Sequence, residues 1–154
     1  MEENEQQSYI LGAVLTLANR LQVLGDQLDD QMTMKQWLLI AVILKSGSPA
    51  PTLSDVSAMI GSSRQNVKKM ALLLEQQGFV ALTKDSRDAR VLRVQLTDKC
   101  RVYFAGRSGR EAQFMKALFQ SFDAELTRGL FRGLTRLTEN IARMETDASD
   151  REKE

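Results

Sequence analysis

The stretch from Thr52 to Leu96 carries two short helical patterns, a Gly-Ser-Ser break, and then an abrupt change of hydrophobic period. Few folds accommodate that order. Thr52-Leu53-Ser54-Asp55 opens the first pattern as a capping box, and Val56, Met59 and Ile60 give it an apolar face before Gly61 ends it. Ser63, with Asn66 three residues later, opens the second, which is apolar at Val67, Met70, Ala71 and Leu74 and closed by Gly78. Two short helices about such a turn predict a helix-turn-helix. Beyond it Val80 and Leu82 and, across a polar gap, Leu92, Val94 and Leu96 alternate every two residues. That alternation predicts a β-hairpin with Asp85-Ser86-Arg87-Asp88-Ala89-Arg90 at its tip.

Helices flank this block. From Tyr9 to Leu28, Ile10, Val14, Leu17, Leu21, Leu24 and Leu28 recur at spacings of three and four, which predicts an amphipathic helix. Thr33 and Gln36 form a capping box before a short apolar helix with Trp37, Leu38, Ile40, Ala41, Ile43 and Leu44, ended by Gly47. Ser46 to Pro51 holds both prolines and reads as a loop. Thr97 and Asp98 cap a further helix. A last long helix is predicted over Phe119 to Met144, apolar at Phe119, Phe122, Leu126, Leu130, Leu134, Leu137, Ile141 and Met144, with Glu145 to Glu154 as a frayed charged tail.

Composition narrows the chemistry. The chain has 154 residues, enough to bury a core without staples, and fits one domain with helical extensions. It contains no histidine, which removes the commonest general base, metal ligand and neutral-pH switch. A single cysteine, Cys100, rules out an internal disulfide. No Gly-rich phosphate loop or carboxylate cluster is present, so no catalytic, cofactor-binding or metal-binding set is expected. No apolar run is long enough to span a bilayer, and Met1 to Ser8 is acidic and polar, unlike a signal peptide. A cytoplasmic, non-membrane protein is the expectation.

The net charge of +1 conceals an uneven distribution. From Met1 to Gln31, Arg20 alone faces Glu2, Glu3, Glu5, Asp26, Asp29 and Asp30. From Leu53 to Phe104 the balance is basic, and a local basic excess fits a nucleic-acid footprint. In a helix-turn-helix the second helix reads the major groove with its N-terminal residues. Here it presents Arg64, Gln65, Asn66, Lys68 and Lys69, while Val67, Met70, Ala71 and Leu74 point the other way. Arg can chelate guanine, Gln and Asn pair with adenine, and Lys reaches guanine or phosphate. Ser62 and Ser63 stand at the helix start, where hydroxyl and N–H groups can hold phosphate.

The hairpin tip gathers Lys84, Arg87 and Arg90 with Asp85 and Asp88. A basic β-loop beside a reading helix is a wing, and one arginine can enter a narrow minor groove. The aspartates fit as partners that hold arginine forks in place. Which of Arg87 and Arg90 enters the groove and which is clamped stays open at this point.

The segment from Leu53 to Phe104 resembles the core of the MarR (multiple antibiotic resistance regulator) family. The residues that carry the likeness are Leu53-Ser54-Asp55-Val56-Ser57, Ser63-Arg64-Gln65-Asn66-Val67, Gly78-Phe79-Val80, Asp85-Ser86-Arg87-Asp88-Ala89-Arg90, Leu96-Thr97-Asp98-Lys99 and, upstream, Thr33-Met34-Lys35-Gln36-Trp37. The resemblance implies a mainly α fold with a small β-hairpin wing. Residues 32–104 would be the winged helix-turn-helix DNA-binding domain, and residues 1–31 and 105–154 a helical dimerisation region. The first and last helices would intertwine in a homodimer on a pseudo-palindromic double-stranded DNA site. It also implies a transcriptional regulator, commonly a repressor, released in many members by a small anionic or phenolic effector between dimer helices and winged lobe. Trp37, Arg20 and Met70 are candidates to line that cleft, with core packing the plainer fate of Trp37 and Met70.

Two departures stand out. Cys100 occupies a position where the family pattern has Gly, and a thiol beside Lys99 and Arg101 is open to two readings, an activated thiol or a semi-buried cysteine. Peroxide-sensing members carry their cysteine in the first helix, which here has none. Gly129 and Gly133, four apart in the last helix, would let two dimer helices approach. The rival function is a winged-helix protein-interaction module without DNA binding. The clustered basic residues on the reading face and wing argue against it.

Overall fold

The structure, a computed structural model, describes residues 1–153. Among them are helices α1 (Glu3–Leu28), α2 (Met34–Lys45), α3 (Leu53–Ile60), α4 (Arg64–Gln76), α5 (Asp98–Leu118) and α6 (Ala124–Arg151). Strands β1 (Val80–Lys84) and β2 (Leu92–Leu96) lie between α4 and α5. The fold is mainly α with one small hairpin, a winged helix-turn-helix with long N- and C-terminal helices. The chain divides into two compact units, Met1–Gly106 and a second that begins at Arg107. None of the described helices is long and apolar enough to cross a membrane.

The first unit is built by its caps. Thr33 Oγ1 accepts from the Gln36 N–H at 3.2 Å and Gln36 Oε1 accepts from the Thr33 N–H at 3.0 Å, closing the predicted box at the start of α2. Thr52 and Asp55 repeat it at α3. Between α2, α3, α4 and the hairpin lies the core, where Leu39, Ile40, Val56, Val67, Leu74 and Val94 are fully buried. Each such side chain stabilises the fold by roughly 1.5–3 kcal/mol. Trp37 and Met70 pack against this core.

Strands β1 and β2 pair antiparallel with Val80 opposite Leu96 and Leu82 opposite Val94. The segment before α3, expected to be plain loop, adds a third edge. Thr52 bridges to Arg93, and the Val94 N–H donates to the Pro51 carbonyl at 3.0 Å. Pro51 lacks an N–H of its own and sits where the ladder asks it only to accept. Gly78 turns the chain from α4 into β1 at φ +81°, a left-handed conformation that favours glycine. Thr97 Oγ1 accepts from the Cys100 N–H at 3.2 Å and donates to the Gly78 carbonyl at 2.6 Å, so the cap of α5 also fastens this turn.

Three boundaries differ from expectation. Helix α1 begins at Glu3 rather than Tyr9, since Glu3 and Glu5 favour a helix start and the Glu2 N–H donates to Glu5. The last helix begins at Ala124. Asp123 caps it through the Leu126 N–H at 2.7 Å, and Phe119 to Phe122 lie in the turn beyond α5. The charged tail does not fray at Glu145, because helix formers carry α6 on to Arg151. In the second unit Leu126, Leu130, Leu134, Leu137, Ile141 and Met144 line one side of α6, and all are exposed.

Candidate nucleic-acid interface

The turn between α3 and α4 is fixed by Gly61 and Ser57. Gly61 adopts φ +75°, which would cost a side-chain-bearing residue roughly 1–2 kcal/mol. Its N–H and that of Ser62 donate to the Ser57 carbonyl at 2.9 and 3.2 Å, and the buried Ser57 hydroxyl donates to the Ser62 carbonyl at 2.5 Å. Ser62 is thereby committed through its backbone and half-buried. Ser63 Oγ accepts from the Asn66 N–H at 3.2 Å and caps α4 from an exposed position.

Helix α4 then splits by geometry into two faces. Val67, Ala71 and Leu74 are fully buried and Met70 is half-buried, while Arg64, Gln65, Asn66, Lys68 and Lys69 are exposed. The Arg64 guanidinium donates from Nη1 to Ser54 Oγ at 3.0 Å, which ties the first turn of α4 to the first turn of α3. Among the described residues, no hydrogen bond or ion pair engages the side chains of Gln65, Asn66, Lys68 or Lys69. The far end of α4 is tied to the hairpin, where Glu75 Oε2 accepts from the Leu82 N–H at 2.7 Å.

At the hairpin tip one of the two arginines is clamped. Arg90 forks onto Asp88 at 3.1 and 3.2 Å, and Arg93 donates from Nε to Asp85 Oδ1 at 2.6 Å. Asp85 also accepts from the N–H groups of Arg87 and Asp88, both at 3.1 Å. The Arg93 guanidinium beside it, then these N–H groups, hold the Asp85 carboxyl below the usual aspartate range; the Arg90 guanidinium does the same for Asp88. The aspartates are therefore clamps, as expected, although the partner of Asp85 is Arg93. The Arg87 and Lys84 side chains are exposed, and among the described residues neither has an ion-pair or hydrogen-bond partner.

Sequence reasoning passed over several residues that shape this surface. Arg93 also donates from Nη1 to the Ala50 carbonyl at 2.9 Å, joining the wing to the segment before α3. Its signal was present, as a lone arginine alternating with Leu92 and Val94. Ser54 and Ser57 gave no signal beyond their place in a capped helix. Cys100 resolves to the buried reading at 1% exposure, and burial pushes its thiol up despite Arg101. Arg20 lies in a shallow depression on α1 with Asn19, Val23, Leu24 and Gln27; neither Trp37 nor Met70 lines it.

Solved structures share this arrangement of helices and hairpin along nearly the whole chain. A MarR/EmrR family transcriptional regulator from Acinetobacter sp. ADP1 superposes with a TM-score of 0.76 at 20% identity, over 89% of this chain and 97% of that one. The chain has the MarR-type winged-helix fold. Two further structures with the MarR-type fold bear on the surface described here. BpsR from Bordetella bronchiseptica, whose DNA binding is regulated by 6-hydroxynicotinic acid, matches with a TM-score of 0.69 at 20% identity, covering 83% of this chain and 98% of its own. FabT from Streptococcus pneumoniae, solved in complex with DNA, matches at 0.64 and 20% identity over 90% and 99%. No family model and no curated protein matches the chain by sequence.

Proposed function

We propose that the chain is a MarR-family transcriptional regulator, not an enzyme, that binds double-stranded DNA as a homodimer, typically as a repressor. The observation that carries this reading is the split of α4, with Val67, Ala71 and Leu74 sealed in the core and the side chains of Gln65, Asn66, Lys68 and Lys69 exposed and, among the described residues, unengaged on the other face, beside a wing whose free arginine is Arg87. The likeness to FabT, solved with DNA, supports it. Residues 32–104 form the DNA-binding domain, and residues 1–31 with 105–154 the dimerisation region. Gln65, Asn66, Lys68 and Lys69 meet base edges and phosphates in the major groove. Ser62, Ser63 and Arg64 serve the helix start. Lys84 meets the backbone, and Arg87 enters the minor groove while Arg90 is held by Asp88.

The dimer is supported by the uncovered apolar rows of α1 and α6, including Leu17, Leu24, Leu130 and Leu134. Monomeric proteins rarely leave rows of this extent open to water. A two-fold pair reads a pseudo-palindrome with half-sites about one turn (~10 bp) apart. A small-molecule effector fits the same reading, by analogy with BpsR. Action of this kind belongs in the cytoplasm.

Selection from a random duplex pool tests the proposal. The full chain should enrich a pseudo-palindrome, and Gln65→Ala should weaken that site by roughly 1–3 kcal/mol and relax its sequence preference. A chain that enriches no sequence and ignores duplex DNA in dilute salt overturns the reading in favour of a protein-interaction module.

A further inference from the structure

The exit of α1 is fastened to the far end of α4 by contacts that lie outside the proposed DNA-contacting residues. Asp29, the residue that ends α1, is buried; its Oδ1 accepts from the Gln31 N–H at 2.9 Å, and its Oδ2 accepts from the Tyr103 hydroxyl of α5. The Tyr103 ring lies 5.0 Å from Phe79 and 5.7 Å from Phe104. Phe79 follows the Gly78 turn that closes α4, and the Lys99 ammonium sits 5.1 Å above its ring while donating to the Gln77 carbonyl at 2.5 Å. Gln77 returns the link, its Nε2 donating to the Gln31 carbonyl at 3.4 Å. A closed circuit therefore runs from the end of α1 through Tyr103, Phe79 and Lys99 to the C-cap of the reading helix, and back to the residue two beyond Asp29.

Most members of this circuit pack or cap, and would be replaced only at the expense of the fold. The Tyr103 hydroxyl differs. It lies on a half-buried ring held by two aromatic neighbours, so the ring keeps its place without the oxygen. Through Asp29 it binds α5 to the terminus of α1. A carboxylate taken out of water makes such a bond stiffer than a surface pair, because its competitor is no longer bulk solvent.

We propose that the Tyr103–Asp29 hydrogen bond is a positioning contact that fixes the reading helix α4 against α1, and thereby sets which half-site separation the dimer accepts. This rests on the dimeric DNA-binding reading above. The two α4 helices of a pair are rigid only as far as each is rigid on its own α1. One base pair more or less between half-sites moves a reading head by about 3.4 Å and about a tenth of a turn. A stiff circuit rejects that change; a loosened one tolerates it. Neither residue belongs to the proposed DNA-contacting set.

The test uses the full chain and duplexes carrying its selected site with the native spacer, or with one base pair inserted or removed. For Tyr103→Phe, the ratio of affinities between native and altered spacers should fall by about threefold to tenfold, the range one net hydrogen bond supplies. Dimer mass and the salt dependence of binding should stay as in the wild type. Asp29→Asn should keep the ratio near wild type, because the amide oxygen still accepts from the Gln31 N–H and its nitrogen can donate to the Tyr103 oxygen. A Tyr103→Phe protein that keeps the full ratio overturns the proposal, as does one that loses affinity equally on every spacer. A wild type that discriminates spacers while the variant does not distinguish itself from it sinks the positioning contact alone. A wild type that ignores duplex DNA sinks the functional reading, and the positioning contact with it.

Discussion

Arg93 and Asp85 meet across the hairpin at 2.6 Å, and the same guanidinium reaches back to the Ala50 carbonyl. One side chain thus joins both strands of the wing to the segment leading into α3. The Asp85 side chain is only 14% exposed, so the pair is sheltered more than a surface ion pair. Arg93→Ala should loosen the wing, because it removes a charge-assisted bond in partial shelter. Binding to the selected duplex should weaken while thermal unfolding of the core shifts little. Limited proteolysis should cut within 85–92 faster than in the wild type.

Arg87 gives the contrasting case. Its guanidinium supports no part of the fold, so Arg87→Ala should change stability by less than about 0.5 kcal/mol. If it enters the minor groove, DNA affinity should fall by about tenfold or more, with a shallower log–log salt slope by about 0.9. Arg90→Ala should lose less affinity than Arg87→Ala. Fluorescence anisotropy over a salt series reads both.

The wing should also respond to acid in a definite direction. Asp85 and Asp88 are held below the ordinary aspartate range, so their clamps favour the folded wing above the usual aspartate value, near 3.9. That support is lost as pH falls through their lowered values. Wing order, followed by amide NMR signals of Ser86 to Arg90, should persist at pH 5 and fail only at strongly acid pH. Loss of order between pH 5 and 7 would contradict the clamp.

Cys100 should be unreactive in the folded protein. It is buried, its thiol is pushed up, and the thiolate is the reactive form. A disulfide reagent should label it slowly in buffer and quickly in denaturant, and peroxide should leave DNA binding unchanged. Fast labelling of the native protein would reverse this assignment.

The exposed leucine row of α6 predicts a concentration-dependent assembly. Leu130→Asp with Leu134→Asp should yield a monomer by sedimentation, since two buried carboxylates would be far costlier than the apolar burial they replace. Single-copy helix content should remain near wild type, as neither position is packed within the described chain.

Much of the molecule was legible because local signals agreed with tertiary need. Thr33 with Gln36, Thr52 with Asp55, and Ser63 all announced helix starts that the structure keeps. The polar face of α4 followed from the burial of Val67, Ala71 and Leu74. What the sequence hid depended on long-range contact. The pairing of Pro51 and Thr52 with β2 has no local pattern, so a third sheet edge read as loop. The start of α6 was hidden for another reason. Phe119, Phe122, Leu126 and Leu130 keep a spacing of three and four straight through a turn, so periodicity alone runs past it. Asp123, which caps α6, was the informative residue.

Trp37, the chain's sole tryptophan, packs against the core of the first unit, while α6 begins well beyond the Gly106 boundary. Its emission is therefore a private reporter on the first unit, whereas far-ultraviolet dichroism is dominated by the long helices. Melting curves from the two signals need not coincide. Their separation would measure how much cooperativity the α5 helix transmits from one half of the chain to the other.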